Sequence, residues 1–186
     1  MRRNTSTLLV TALALTLGLG AIPDLVPSAS ATRLRTMQLA DLVAEADVVV
    51  RGRVLFEQVP VWDAQRQRIY TDSKIIVDTV LHGRTTLPSV TVRQLGGVLG
   101  DIGQSVDGVG PLKPGTTVVL FLKTDGVRHY VVGMAQGRLE VVGRSGDERV
   151  VRDLDGATLV GKRTATLPLR YDALVSRIGS LGRGAN

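Results

Sequence analysis

Apolar and polar residues alternate with a period of two along two long stretches of this chain, Asp47–Phe56 and Ile69–Leu81. Because successive side chains of a strand point to opposite faces of a sheet, this pattern predicts two β-strands rather than helices. The face of the first strand that we expect to be buried carries Val48, Val50, Gly52, Val54 and Phe56. The second stretch is long enough that its strand is expected to bend or coil around a small barrel.

Further short strands follow with no helix between them. A continuous apolar run from Thr117 to Leu122 is typical of a strand covered on both sides, and Asp125-Gly126 is a hairpin turn. The other strands are expected around Val90 and Val92, at Tyr130–Met134, at Arg138–Val142 and at Arg149–Arg152. Apolar residues at helical spacing predict a short helix within Thr36–Ala46 and another from Tyr171 onward. The sequence therefore predicts a mainly β fold, a small antiparallel barrel with a short N-terminal and a C-terminal helix.

The first 31 residues have the three parts of an export signal. Arg2 and Arg3 supply a positive start, and Leu8–Ala21 is an apolar stretch. Small residues then precede a cleavage site between Ala31 and Thr32. The alternative is a membrane anchor, but the apolar stretch is shorter than the ~20 residues needed to cross a bilayer. We therefore expect a signal peptide over residues 1–31, a single domain over residues 32–186, no membrane span after cleavage, and a secreted or periplasmic protein.

The chain contains no cysteine and carries a formal net charge of +6. The lack of cysteine excludes disulfides, thiolate zinc sites and cysteine nucleophiles. A basic surface favours acidic partners, here anionic polymers or acidic proteins, and we expect no nucleic acid partner. Four arginines fall on the outward registers of different strands, where they could form one basic patch on the barrel wall: Arg51, Arg53, Arg93 and Arg138. The alternative is an ordinary solvated face.

The segment Gly96–Gly115 contains seven glycines in 20 residues and few large side chains. It predicts a long loop between two strands, either a recognition loop or a flexible crossover. If the loop binds a partner, the polar residues expected to make contact are Asp101, Gln104 and Asp107. A phosphate-binding loop is excluded, because a strand rather than a helix follows these glycines. Trp62 lies in the polar connection between the first two strands, where it would anchor a partner or cover one end of the barrel.

Residues suited to catalysis are scarce in this sequence. The two histidines, His82 and His129, each lie beside a strand end, and no Gly-x-Ser-x-Gly elbow or metal-ligand spacing accompanies them. We therefore expect a protein that is not an enzyme and that uses no cofactor and no metal. An enzyme of unrecognised type stays as a third hypothesis, behind two kinds of binding protein.

Three short motifs occur in a fixed order along the middle of the chain. They are the run Ala46–Val54, the Val-Leu-His-Gly turn at Val80–Gly83, and Leu112-Lys113-Pro114-Gly115 before an apolar strand. Together they resemble the netrin-like module, the domain shared by the tissue inhibitors of metalloproteinases and the netrin and complement C-terminal domains. The resemblance covers roughly residues 36–142. It implies an OB-type, five-stranded Greek-key barrel with flanking helices.

The resemblance also implies a function. Inhibitors of that family place a processed N-terminal cysteine in the zinc site of a protease, where its amine and carbonyl bind the metal. The mature start expected here is Thr32, and without the family's disulfides we expect Thr32–Arg35 not to be pinned in place. The resemblance thus implies a secreted, non-enzymatic binding protein, an inhibitor or partner of an extracellular metalloprotease, with Thr32, Arg33 and the glycine-rich loop as contacts. The alternative is a module that binds an anionic polysaccharide or another cell-envelope polymer through the four arginines.

Overall fold

The computed structural model describes residues 32–161 and 170–183, and of residues 56–59 it describes the backbone only. The described elements are β1 (Arg33–Arg35), α1 (Leu39–Glu45), β2 (Val48–Trp62), β3 (Ile69–Gly83), β4 (Ser89–Leu95), β5 (Gly97–Leu99), β6 (Ile102–Gln104), β7 (Thr117–Thr124), β8 (His129–Val131), a 3-10 helix (Met134–Gly137), β9 (Arg138–Val142), β10 (Arg149–Val151), β11 (Thr158–Val160) and α2 (Tyr171–Arg183). The expected signal peptide, with its cleavage after Ala31, lies outside the described residues. Within them, no helix is long and apolar enough to span a membrane.

Five strands close into a barrel. β2 pairs with β3 and β7, β3 with β4, β4 with β8, and β8 returns to β7. All of these pairs are antiparallel except β4–β8, which is parallel. A long connection brings β7 beside β2 after the three consecutive strands β2, β3 and β4, which is a Greek key. β9 and β10 extend the sheet from β7. The predicted mainly β fold, a small OB-like barrel with a C-terminal helix, is confirmed.

The apolar residues of the barrel form two separate cores. The interior core contains Val48, Val50 and Val54 of β2, as the alternation predicts. The second core lies on the outer side of β2 and β7, where Val49 and Phe121 are fully buried under the two helices. The helices contribute Leu42, Val43, Leu174 and Ile178. The prediction of a single buried face on β2 is therefore wrong at Val49, because helices cover that side of the sheet. The side chain of Phe56 lies outside the described part.

The N-terminal strand is held by backbone pairing instead of a disulfide. β1 pairs in parallel with β11, with Leu34 opposite Leu159. The amide of Thr158 donates to the carbonyl oxygen of Thr32 at 2.9 Å, and the amide of Thr36 donates to that of Val160 at 2.9 Å. The expectation that Thr32–Arg35 would not be pinned is therefore wrong. α1 begins at Leu39, after the capping residue Gln38, whose amide donates to a carboxylate oxygen of Asp41 at 2.8 Å. The helix is shorter than the segment predicted to contain it.

Trp62 lies within a strand and not in the connection that follows. β2 and β3 continue to pair past three register shifts until Trp62 stands opposite Ile69. The connection is then a short turn in which the amide of Asp63 donates to the carbonyl oxygen of Arg68 at 2.9 Å. The half-buried Trp62 is the last paired residue of β2. The prediction that placed it in the polar connection is wrong, because β2 is longer than its alternating pattern indicated.

Candidate functional site

The segment between β4 and β7, residues 96–116, is here called the crossover loop. Its first half folds into the β5–β6 hairpin and is fastened to β3. The amide of Gly96 donates to the carbonyl oxygen of Ile69 at 2.7 Å. The carbonyl oxygen of Gly96 accepts from the Thr71 hydroxyl, also at 2.7 Å. The Ile69 amide in turn donates to the side-chain oxygen of Gln104 at 2.6 Å. Gln104, expected as a contact residue, therefore holds the hairpin against the barrel.

The second half of the crossover loop is also fixed in place. The amide of Gly108 donates to the carbonyl oxygen of Asp155 at 3.0 Å, and the carbonyl oxygen of Gly108 accepts from the amide of Ala135 at 2.8 Å. Further along, the guanidinium of Arg138 donates to the carbonyl oxygens of Gly110 and Pro111 at 2.5 and 2.9 Å. Leu112 then enters the interior core. These bonds indicate an ordered segment and not a flexible crossover, since most of its length has fixed partners.

Three clefts border the crossover loop, with volumes of about 300, 220 and 190 Å³. We call the largest the seam cleft, because it lies where the barrel wall opens between β4 and β8. These two strands pair at a single position, Val92 opposite His129. Beyond it the cleft is lined mainly by Tyr70, Leu95, Val109, Tyr130, Val131 and Met134. The crossover loop therefore forms one wall of an apolar cleft in the barrel itself.

The N-terminal strand reaches the same region. A Cβ atom placed on Gly108 would lie 3.2 Å from the Cδ1 atom of Leu34 and 3.6 Å from the methyl carbon of Met134. β1 and the crossover loop therefore pack together beside the seam cleft. Of the other predicted contact residues, Arg33, Asp101 and Asp107 are exposed. The structure thus brings together two segments, the N-terminal strand and the loop, that the sequence suggested independently.

The four arginines do not form an open basic patch. Arg51 binds Glu148 through two hydrogen bonds of 2.9 and 2.7 Å, and its guanidinium lies 4.6 Å from the ring centre of Tyr171. This carboxylate raises the pKa of Arg51, while the guanidinium lowers the pKa of Glu148. Arg138, besides its bonds to the loop carbonyls, lies 3.8 Å from a carboxylate oxygen of Asp155. Arg53 is exposed on the barrel wall.

Like Arg138, Arg93 borders the seam cleft. It donates two hydrogen bonds of 2.6 Å to Asp72, and its guanidinium lies 5.4 Å from the ring centre of Tyr70. The bond to Asp72 raises the pKa of Arg93. Arg128 shares the same carboxylate at 3.4 Å. The predicted basic patch is therefore corrected: three of its four arginines are paired with acidic side chains, a partnering that strand alternation does not reveal.

Sequence reasoning missed the residues that shape the seam cleft, above all Tyr70, Tyr130 and Met134. The hydroxyl of Tyr130 donates to a carboxylate oxygen of Asp125 at 2.8 Å, and this bond raises the pKa of Tyr130. The backbone amides of Arg128 and Val127 are the main donors that hold the pKa of Asp125 at about 2. The aromatic residues on β3 and β8 were visible in the sequence, but only the ring closure of the barrel brings them together.

No group of three or more His, Cys, Asp or Glu side chains within residues 32–161 and 170–183 could hold a metal ion. No protein-family model matches the chain, and no curated protein matches it. The resemblance to the netrin-like module therefore stays a hypothesis that comes from short motifs.

The ion pair of Arg51 and Glu148 predicts a specific dependence of stability on pH. Because the folded state lowers the pKa of Glu148, its contribution is present above the usual pKa of 4.5 and is lost as pH falls through the folded value. Glu148→Gln is expected to lower the unfolding free energy by about 1 kcal/mol at pH 7 and by less at pH 3. Urea denaturation at both pH values measures this, with the exposed Glu45→Gln as control. If Glu148→Gln lowers the unfolding free energy equally at pH 7 and pH 3, the ion pair of Arg51 and Glu148 does not contribute as described.

Proposed function

We propose that this chain is a secreted or periplasmic, non-enzymatic binding protein that holds a polypeptide partner at the crossover loop and the N-terminal strand. The observation that carries the proposal is the convergence of three clefts on this one loop, with β1 packed beside it at Gly108. Loops positioned by a rigid β scaffold commonly carry recognition. The hydrogen bonds along the crossover loop reduce the ordering that binding would otherwise require.

The character of this surface favours a protein over a polyanion. The β5–β6 hairpin exposes Val98 and Ile102, which are 68% and 54% accessible. Exposed apolar side chains grouped on one fixed hairpin are typical of surfaces that contact other proteins. In contrast, the cations that border the seam cleft, Arg93 and Arg138, already have carboxylate partners. A partner with apolar side chains therefore fits this region better than a chain of anionic groups.

An extracellular metalloprotease is the partner to test first. The resemblance to the netrin-like module suggests it, and the pairing of β1 with β11 supports it physically. If export ends with cleavage after Ala31, the amine of Thr32 stands at the start of a strand that is held in place, since the carbonyl oxygen of Thr32 accepts from the Thr158 amide at 2.9 Å. A disulfide cannot hold this strand, because the chain has no cysteine. The backbone pairing with β11 holds it instead, together with Gln136, whose side-chain oxygen accepts from the Met37 amide at 2.8 Å.

The full-length chain is expressed and exported so that any processing takes place. The exported protein is then tested against a panel of purified secreted metalloproteases. Val98→Ser combined with Ile102→Ser removes the exposed apolar surface of the hairpin without touching a buried residue. We expect the double variant to bind at least about tenfold more weakly than the wild type in surface plasmon resonance. Val127→Ser, at a valine that is 76% accessible on another turn, is the matched control.

Two results would overturn parts of this proposal separately. If neither binding nor inhibition is seen with any protease of the panel, the metalloprotease assignment is wrong. If the double variant and the control bind a protease equally well, the crossover loop is not the recognition segment. If a protease that binds the wild-type chain hydrolyses a peptide substrate equally fast with and without it, the chain is a partner of that protease but not its inhibitor.

The alternative function is a module that binds an anionic polysaccharide or another polymer of the cell envelope. The net charge of +6 and the exposed Arg53 support it. The pairing of Arg51, Arg93 and Arg138 with acidic side chains weakens it, because paired guanidinium groups attract a polyanion less. Retention on immobilised heparin above physiological salt would favour this alternative, and elution well below it would count against it.

A further inference from the structure

We propose that the seam cleft is a receptor for one uncharged aromatic group. This inference deepens the proposed function, since the crossover loop forms one wall of the cleft. The aromatic group could come from the side chain of a polypeptide or from a free small molecule, and the experiment below separates the two sources. The cleft volume of about 300 Å³ is at the small end of the range for ligand pockets, which suits a single ring system.

The cleft exists because the barrel closes through one short parallel contact. β4 and β8 share only the Val92–His129 position, whereas β3 and β4 pair over seven positions from Tyr70 to Ile76. Past that contact the two strands have no further paired positions, and Gly108 and Val109 of the crossover loop approach the opening. The loop therefore borders the seam without filling it.

The lining of the cleft is suited to an aromatic ring. Tyr70 and Tyr130 provide two aromatic faces or edges, and Leu95, Val109 and Val131 provide aliphatic surface. Aromatic rings pack favourably against other rings in offset or edge-to-face arrangements. Met134 adds a flexible thioether, a group that makes favourable contacts with aromatic rings and adapts to their shape.

The backbone of Met134 is a second, independent observation at this cleft. Its φ angle is 58°, in the left-handed region that a residue with a side chain rarely adopts. It follows Gly133, whose φ angle is 63°. Backbone outliers of this kind concentrate at ligand clamps and similar sites, where the surrounding structure holds them. The turn into the 3-10 helix thus places Met134 on the cleft wall at a cost in backbone strain.

The charges around the cleft indicate that the occupant is uncharged. Arg93 is neutralised by Asp72, and Arg138 is close to Asp155 and donates to two loop carbonyls. The hydroxyl of Tyr130 is engaged by Asp125. An anionic ligand would have to compete with these carboxylates, and a cationic one would meet two guanidinium groups. An uncharged ring leaves every one of these bonds intact.

The experiment titrates indole into the isotopically labelled, full-length exported chain and follows amide signals by NMR. We expect saturable shifts at Leu95, Val109 and Val131, with intermolecular NOEs from indole to the methyl groups of Val109 and Met134. Val109→Trp fills the cleft and is expected to weaken indole binding at least about tenfold. The same substitution at the exposed Val127 should leave the affinity within about twofold of the wild type.

Further arms identify the source and charge of the occupant. The peptide acetyl-Ala-Trp-Ala-amide presents the same ring from a polypeptide, so that tighter binding of the peptide than of indole assigns the site to a protein side chain. Tighter binding of indole assigns it to a small molecule. Indole-3-acetate is expected to bind no more tightly than indole, and a gain of about tenfold or more would contradict an uncharged occupant.

The proposal is overturned if indole gives no NOE to the cleft methyl groups of the wild type, whatever the folding of the Val109→Trp variant. It is also overturned if the two tryptophan variants bind indole equally. These outcomes are separate from the proposed function. If the chain binds a metalloprotease through Val98 and Ile102 but does not bind indole, only the aromatic site in the seam cleft is wrong. If the chain binds indole but no polypeptide, the aromatic site in the seam cleft stands and the proposed polypeptide partner is wrong.

Discussion

Gly52→Ala is expected to lower the unfolding free energy by about 2–3 kcal/mol, although it adds one methyl group. Gly52 lies in β2, at the middle of the barrel, opposite Val77 of β3 and Val118 of β7. An added Cβ atom would collide with the carbonyl oxygen of Ile76 and would lie 2.8 Å from a methyl carbon of Ile75. Because the collision is with backbone, the β2–β3 pair would have to separate to accommodate it.

Gly103→Ala is the matched control for this substitution. Gly103 also lies in a strand, β6, but the nearest atom to an added Cβ is a methyl carbon of Val98 at 3.8 Å. We expect a change within about 0.5 kcal/mol. Urea denaturation of both variants gives the two free energies. Similar losses in the two variants would contradict the close approach of β2 and β3 at Gly52.

Gln136→Leu is expected to cost about 3 kcal/mol and to release the N-terminal strand. Gln136 is almost fully buried, and its amide group joins two backbone groups near the start of the domain. Its oxygen accepts from the Met37 amide at 2.8 Å, and its nitrogen donates to the carbonyl oxygen of Arg35 at 3.0 Å. Leucine keeps the approximate volume but leaves both backbone groups without these partners, each at about 1–3 kcal/mol.

Two measurements separate a local effect of Gln136→Leu from a global one. Urea denaturation gives the total loss, and hydrogen–deuterium exchange shows whether the amides of Leu34–Met37 exchange faster while those of β7 stay protected. Gln67→Leu, at an exposed glutamine in the turn between β2 and β3, is the control and should change stability by less than about 0.5 kcal/mol. Unchanged exchange at Leu34–Met37 would contradict the role of Gln136 as the clamp of β1.

The barrel was predictable from local patterns, since alternation or a continuous apolar run predicts the main strands that close it. The burial of Val49 was not, because a period-two pattern identifies one core face and cannot reveal helices on the other. The pairing of β1 with β11 joins Leu34 to Leu159 across the whole domain. Neither three-residue strand has a pattern of its own, so only the folded chain shows that the N-terminal segment is held.

The candidate site was predictable in position but not in composition. The glycine-rich segment predicts a recognition loop or a crossover, and three clefts border it. Of the polar residues expected as contacts, Gln104 instead bonds to the backbone of Ile69, while Asp101 and Asp107 are exposed. The aromatic wall comes from Tyr70 and Tyr130, which are 60 residues apart in the sequence. Their proximity depends on the single β4–β8 contact that closes the barrel.

Hydrogen–deuterium exchange of the full-length exported chain, with and without a secreted metalloprotease in excess, tests the central claim most directly. Binding at the crossover loop and the N-terminal strand predicts slower exchange within residues 97–109 and 33–36, with no change in the amides of β2 around Arg53. Protection confined to the barrel wall around Arg53, or no protection with any protease of the panel, would contradict it.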